Sequence, residues 1–462
     1  MALITSISGI RGTIGGKSGE ALTPLDIVRF STAYAEFIRL RFPGMKPTVI
    51  VGRDARISGP MVESLVTATL SACGINVIQL GHATTPTVEM AVIAEKTQGG
   101  IIITASHNPI QWNALKLLGH NGEFLSAEEG EEIIRLAQTN DFSYAPVDQL
   151  GVIIRREGYL EYHIQKILEL PYVDTDAIRR AKFRVAVDAV NSVGGTAIPA
   201  LLKALGVQEV IPLNCTPDGL FAHNPEPLPE HLTEISVVVP RKKAHLGLVV
   251  DPDVDRLAIV CEDGSMFGEE YTLVAVADYV LSMKKGNTVS NLSSSRALRD
   301  ITEKHGGRHF ASAVGEVNVV AMMKKVNAVI GGEGNGGVIL PDLHYGRDAL
   351  AGTALFLSHL AKSGKKTSEL RAGYPHYVMS KKKVEISAGT NVDHLLAQLR
   401  EYFKDQKIND ADGIRIDFPE GWVHVRKSNT EPIVRIYSEG TSTEEAERLV
   451  SMVEKVLQTA GS

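Results

Sequence analysis

The sequence is poor in cysteine: Cys73, Cys215 and Cys261 are its three, odd in number and widely spaced. Such usage fits neither a disulfide framework nor a zinc site. No apolar run comes near the roughly 18 residues that span a bilayer. The first residues, Met-Ala-Leu-Ile-Thr-Ser, have neither the basic start nor the long apolar region of a signal peptide. A basic excess is missing too, since 48 Lys and Arg face 54 Asp and Glu for a formal net charge of −6. That argues against a general nucleic-acid binder, although a local basic patch can still hold a small anion. These absences point to a cytoplasmic protein with reduced thiols and with neither a membrane nor a nucleic-acid partner.

The chain has 462 residues, 44% of them hydrophobic and 22% charged, an ordinary globular composition. It is too long for one core and suits about three or four domains. From near residue 24 a unit of alternating helices and strands recurs three times. In the first copy the spacing predicts a helix over 24–41, a strand over 48–52 and a polar turn from Arg53 to Gly59. A helix ending near Gly74, a strand over 76–80, a helix after Pro86 and the strand Gly99-Gly-Ile-Ile-Ile103 follow. The second copy has strands over 183–187, 209–213 and 246–250, and the third has strands over 287–291, 309–312 and 328–330. This alternation is the signature of a mostly parallel sheet covered on both faces. The remainder, from about residue 370, reads as a smaller α+β domain with helices over 392–403 and 443–457. The expected fold is α/β: three related mixed-sheet domains in tandem, 1–150, 151–256 and 257–369, and a C-terminal α+β domain, 370–462, around a central cleft.

Each copy ends its third strand in an unusual loop, at the place where open α/β sheets bind ligands. The first is Thr104-Ala-Ser106-His107-Asn-Pro109, which alone is an ordinary turn sequence. The second is Asp251-Pro-Asp253-Val-Asp255-Arg256, whose alternating carboxylates converge in an extended loop and repel one another unless a cation joins them. Oxygen ligands favour Mg²⁺ or Ca²⁺. An EF-hand is excluded by Arg256 at the turn position and by strand-like flanks where helices are required. The third is Gly332-Glu333-Gly-Asn335-Gly-Gly337, a literal G-x-G-x-x-G that opens no helix and so is not a dinucleotide site. A carboxylate and an amide on a flexible, close-approaching loop suit sugar hydroxyls instead. Near the N-terminus, residues 8–18 almost spell a P-loop, but Arg11 replaces the first glycine. A glycine-rich loop remains, with one arginine able to meet an anion. In the last domain Arg426-Lys-Ser428-Asn429-Thr430-Glu-Pro432 gathers phosphate-binding donors. Ser106 and His107 are adjacent and poorly placed as a nucleophile–base pair, and no G-x-S-x-G elbow surrounds them. A serine hydroxyl beside carboxylates and a metal is a good phosphoryl carrier, with Arg11 and Arg256 sharing the charge.

These motifs, in this order and with Ser8-Gly-Ile-Arg-Gly12 ahead of them, resemble the α-D-phosphohexomutases over essentially the whole chain. The resemblance implies a phosphosugar mutase that interconverts hexose 6- and 1-phosphates through a phosphoserine and a hexose 1,6-bisphosphate. It implies Ser106 as the phosphoryl carrier, Mg²⁺ held by Asp251, Asp253, Asp255 and phospho-Ser106, and Lys116 as general acid/base with a lowered pKa. His107 and Arg11 join the catalytic group, and Arg256, Glu333 and Asn335 meet the sugar. Arg426, Ser428, Asn429, Thr430 and Arg435 hold the phosphate that is not reacting. Two departures stand out. Gly315-Glu-Val-Asn318 lies where one branch has a histidine, and Asn335 and Gly337 replace a common serine and histidine. With His344-Tyr-Gly-Arg-Asp348 they tilt the expectation towards glucosamine phosphate, in a monomer or homodimer. Glucose or mannose phosphate by the same mechanism, a metal-dependent sugar phosphatase, and a sugar-phosphate-binding regulator are the rival readings.

Overall fold

The computed structural model describes residues 3–6, 9–139, 141–385, 392–427 and 433–460. The three expected repeats share one strand order. In the first sheet Thr48–Arg53 is flanked by parallel Asn76–His82 on one side and parallel Gly99–Ile103 on the other. Trp112–Leu118 then runs antiparallel beside Gly99–Ile103. The second sheet repeats this with Arg184–Asp188, Glu209–Leu213, Leu246–Val250 and antiparallel Leu257–Cys261. The third does so with Asn287–Asn291, His309–Ser312, Ala328–Glu333 and antiparallel Gly337–Ile339. Helical crossovers make the first three strands parallel, and a short reversal makes the fourth antiparallel. Because the second and third strands lie on opposite sides of the first, a crevice opens between the carboxyl ends of strands one and three.

An N-terminal hairpin, Leu3–Ser6 with Gly9–Thr13, extends the first sheet by pairing with Trp112–Leu118. The glycine-rich stretch around Arg11 is therefore a strand and not an open loop, with Arg11 opposite Ala114. A Cβ at Gly9 would fall 2.6 Å from the Leu115 carbonyl oxygen, so glycine permits this close pairing. Ile153–Arg155 closes the far edge of the same sheet beyond residue 150, and Leu257–Cys261 completes the second sheet beyond residue 256. The elements thus run a few residues past the expected divisions. The fourth sheet is antiparallel throughout, in the order Val378–Glu385, Ile433–Gly440, Trp422–Lys427, Ile414–Asp417, Lys407–Asn409. Val392–Tyr402 and Thr443–Ala460 are its helices.

The second and third domains share one apolar core, in which helices Glu269–Met283 and Ala349–Ser363 pack together. The three isoleucines Ile101, Ile102 and Ile103 are fully buried, each worth about 1.5–3 kcal/mol of transfer free energy. The cysteines are free thiols. Among the described residues no helix is long and apolar enough to cross a membrane.

Where the first three domains meet, a polar chain is buried. Asp348 caps helix Ala349–Ser363, its Oδ1 accepting from the Leu350 and Ala351 amides at 2.8 and 3.1 Å. Its Oδ2 lies 2.9 Å from His163 Nε2 and 3.3 Å from His344 Nε2, and His344 Nδ1 lies 3.1 Å from Glu89 Oε2. Burial opposes charge on His344, but hydrogen bonding to Asp348 and Glu89 outweighs it and raises the imidazole to about 10. Burial pushes Glu89 up to about 8. Both groups hold a proton in the folded state that the unfolded chain releases at lower pH. The His344 contribution to stability is complete below its ordinary value of 6.5 and is lost as pH rises through about 10. The apparent unfolding midpoint is therefore expected to fall between pH 7 and 10, and His344→Gln to flatten that fall. Calorimetric scans across the range check this.

Candidate active site

Ser106 stands just past strand Gly99–Ile103 with φ +49°, a left-handed conformation unusual for a side chain larger than glycine. The loop after the first strand enforces it. Arg56, fully buried, donates from Nη2 to the Ser106 and Asn108 carbonyls at 2.6 Å each, and from Nη1 to those of Pro109 and Trp112 at 2.8 and 2.9 Å. Asp54 aligns Arg56 through its Nε at 3.1 Å and accepts from the Thr104 hydroxyl at 2.6 Å. Thr104 Oγ1 in turn accepts from the Ser106 amide at 2.9 Å. The clamped loop delivers Ser106 Oγ to within 2.9 Å of Asp251 Oδ2, to which it donates. His107 Nδ1 is 3.4 Å from the same hydroxyl, closer than adjacency alone led us to expect. Burial, with Arg256 and Arg11 nearby, keeps His107 well below the usual imidazole range and so neutral.

The carboxylates of Asp251, Asp253 and Asp255 are wholly buried, and their ligand oxygens lie within 4.8 Å of one another. They converge through a turn and not an extended loop. Val254 takes φ +63°, and Asp251 Oδ1 accepts from the Asp255 and Arg256 amides at 3.2 Å each. Burial, then the charges of Asp255 and Asp253, push Asp251 well above the usual carboxylate range. Burial acts the same way on Asp253, but Lys116 overrides it and holds that carboxyl low. Asp253 Oδ1 and Asp255 Oδ1 are buried without a hydrogen-bond partner. Buried, unpartnered oxygens on converging carboxylates are what a hard divalent cation requires, so the donor set fits Mg²⁺.

Two other domains contribute to this loop. Lys116 reaches Asp253 Oδ2 at 2.8 Å and Asp255 Oδ2 at 3.7 Å, and Thr85 Oγ1 donates to Asp253 Oδ2 at 2.7 Å. The Lys116 shift runs opposite to the lowered pKa expected. Burial lowers the pKa, as does the Arg347 charge, but Asp253 and then Asp255 outweigh both and raise it above its ordinary value. Arg347 grips Asp255 from the third domain at 2.6 Å. Arg11 donates to Asn108 Oδ1 at 3.3 Å, and Arg256 lies 3.9 Å from both Asp255 and Glu226. Burial and then Arg256 lower Arg11, which marks a crowded cationic wall around the serine.

Glu333 ends its strand, so the glycine-rich stretch is a tight hairpin and not a flexible loop. Its Oε1 accepts from Asn291 Nδ2 at 2.8 Å and the Gly315 amide at 3.2 Å, and its Oε2 faces Arg347 at 2.7 Å. Asn335 is half-buried, its Oδ1 accepting from the Gly337 amide at 3.3 Å. In the fourth domain Arg426 and Arg435 stand directly opposite each other on paired strands. Ser428, Asn429 and Thr430 lie outside the described residues, as does Ser8. Sequence reasoning missed Arg56, Asp54, Thr85, Asn291 and Arg347. The repeat held a signal for some of them, since Asp54 to Ser58 and Asn291 to Arg296 stand at the end of the first strand of their copies.

Comparison with known proteins agrees with this architecture. Models of the phosphoglucomutase/phosphomannomutase family match α/β/α domain I at residues 3–144, domain II at 159–264, domain III at 268–377 and the C-terminal domain at 382–456. The chain is 37% identical to a phosphoglucomutase/phosphomannomutase of Thermococcus kodakarensis, over 97% of this chain and 98% of the relative. It is 30% identical to a phosphoglucosamine/phosphogalactosamine mutase of Sulfurisphaera tokodaii, over 99% of this chain and 100% of the relative. A crystal structure of a phosphoglucomutase/phosphomannomutase family protein from Burkholderia thailandensis shares the fold, with a TM-score of 0.84 at 24% identity, covering 100% of this chain and 98% of that one. Four ordered domain matches and relatives aligned end to end place the chain in the α-D-phosphohexomutase family.

Proposed function

We propose that the protein is a phosphosugar mutase that interconverts hexose 6-phosphate and hexose 1-phosphate, with glucosamine phosphate as preferred substrate. The observation that carries this reading is the Ser106 hydroxyl, 2.9 Å from Asp251 inside a buried three-carboxylate cluster. A binding regulator needs no such pairing of a clamped serine with a metal-ready site, and the relatives' names give a phosphatase no support.

Mg²⁺ would be held by Asp251, Asp253, Asp255 and an oxygen of phospho-Ser106, and it supplies charge neutralisation for the transferring phosphoryl group. The free sugar hydroxyl attacks phosphorus, the bond to Ser106 Oγ breaks, and a hexose 1,6-bisphosphate forms. Lys116, charged beside Asp253, gives a proton to the departing Ser106 Oγ and is recharged by the attacking hydroxyl's proton. Arg11 and Arg256 take up phosphoryl charge, while neutral His107 offers a hydrogen bond without adding charge. The bisphosphate turns end for end, and its other phosphoryl group returns to Ser106. Glu333 and Asn335 hold sugar hydroxyls in either orientation, and Arg426, Arg435 and Ser428 to Thr430 clamp the phosphate at rest. The sugar preference rests on Asn335 and Gly337 in the hairpin, with a relative named for glucosamine and galactosamine phosphates in support. A relative named for glucose and mannose phosphates supports the rival preference by the same mechanism.

Coupled assays with glucosamine, N-acetylglucosamine, glucose and mannose 6-phosphates are expected to give the highest kcat/KM for glucosamine, with turnover stimulated by traces of the 1,6-bisphosphate. Ser106→Ala removes the carrier and is expected to lower kcat by at least about a thousandfold. Separately, Mg²⁺ at about 100 times its Kd is expected to stabilise the EDTA-treated protein by about 2.7 kcal/mol. Differential scanning calorimetry reads this as a raised midpoint, which Asp255→Asn should abolish.

A further inference from the structure

Arg347 is a buried cation that the phosphoryl chemistry leaves without a role. It places Nη2 2.6 Å from Asp255 Oδ2, Nη1 2.7 Å from Glu333 Oε2 and Nε 3.1 Å from Glu316 Oε2. Asp255 belongs to the metal-ready turn of the second domain, and Glu333 to the hairpin of the third. One planar fork therefore spans two loops that would hold different ligands, a geometry a lysine cannot reproduce.

The segment carrying Arg347 is fixed on every side. Its amide donates to Glu316 Oε1 at 2.9 Å. The next residue, Asp348, caps a helix and meets His163 and His344, and His344 in turn faces Glu89. Those side chains also have metal-ligand spacing, but Asp348 already gives one oxygen to the helix cap and the other to both imidazoles. They act as an anchor that ties the segment to the first and second domains. The path of the guanidinium is equally constrained. A Cβ at Gly337 would lie 2.3 Å from Arg347 Cδ, so the hairpin must lack a side chain there for the arginine to pass.

We infer that Arg347 is a positioning residue that couples the metal site to the phosphosugar site. The inference rests on the ligand assignments proposed above. Asp255 and Glu333 compete for one guanidinium. A dication among the aspartates takes up the charge of Asp255 and repels the guanidinium, so Arg347 turns its hold to Glu333 and steadies the sugar hairpin. The linkage is reciprocal: a bound phosphosugar tightens the metal by the same factor.

The test uses binding rather than turnover. Titration calorimetry of Mg²⁺, with and without glucosamine 6-phosphate, is run on the wild type, Arg347→Lys and Gly337→Ala. Lysine keeps the buried charge and so preserves folding, and the alanine methyl forces Arg347 Cδ off its path. The wild type is expected to bind Mg²⁺ more tightly when the sugar phosphate is present. In Arg347→Lys the hold on Asp255 that Mg²⁺ must displace is weakened, so Mg²⁺ affinity without the sugar should rise and the ratio with and without sugar should drop to one. Gly337→Ala should lose the ratio too. A merely structural arginine would lower the unfolding midpoint and leave the ratio intact, and that result overturns the inference, as does a wild-type ratio of one. Failure of the wild type to bind the sugar phosphate would overturn the mutase reading instead. The Mg²⁺ affinity of Arg347→Lys would still decide whether Arg347 positions Asp255.

Discussion

Three carboxylates packed within 4.8 Å and sealed from water are the constraint around which the rest of the site is arranged. Two like charges about 4 Å apart repel by about 4 kcal/mol even at an effective dielectric of 20. One consequence is visible in Asp251, which burial and its neighbours drive towards the protonated form. The others are the compensating groups: Lys116 and Thr85 from the first domain, and Arg347 from the third. No single domain neutralises the cluster. The metal-ready turn is complete only when three domains are assembled, which accounts for the buried polar chain of Glu89, His344, Asp348 and His163 at their junction.

The repeated topology divides the labour in the same way each time. The loop after strand three carries the reactive groups, and the loop after strand one holds it in place. Arg56 and Asp54 clamp the Ser106 loop. Ser192 donates to the Pro252 carbonyl at 2.7 Å in the aspartate turn. Asn291 and Ser294 hold Glu333 and the Gly334 amide at 2.8 and 3.0 Å. Strands one and three are neighbours in every sheet, so their carboxyl-terminal loops are within reach of each other. This arrangement also tolerates the strained backbone of Ser106 and Val254, because the surrounding hydrogen bonds over-determine both.

Much of this was legible in the sequence, for a physical reason. Strands such as Gly99–Ile103 and Leu246–Val250 are continuous apolar runs ended by small polar residues. Their threefold recurrence located Ser106, Asp251 to Asp255 and Glu333 at equivalent places. The fourth strands were not recovered as strands of these sheets. Trp112–Leu118 mixes polar and apolar residues because Lys116 and Asn113 reach Asp253 and Ser58, and Gly337–Ile339 has only three residues. The partner residues were hidden more deeply. Arg56 acts on a carbonyl 50 residues away and Arg347 on a carboxylate 92 residues away. Nothing local in the chain marks an arginine as a clamp. The direction of the Lys116 shift was missed for the same reason: it depends on which charges the fold brings to the ammonium.

The fourth domain supplies the remaining element, a pair of arginines forced face to face by strand register. In the proposed mechanism these parts make Ser106 a carrier that gives up a phosphoryl group to one end of a sugar and takes one back from the other. Single-turnover transfer tests this most directly. Protein labelled with a radioactive phosphoryl group on Ser106 is mixed rapidly with glucosamine 6-phosphate and quenched at intervals. The account predicts that the label leaves Ser106 and appears first in glucosamine 1,6-bisphosphate. Label appearing as inorganic phosphate, with no labelled bisphosphate at any time, would contradict it.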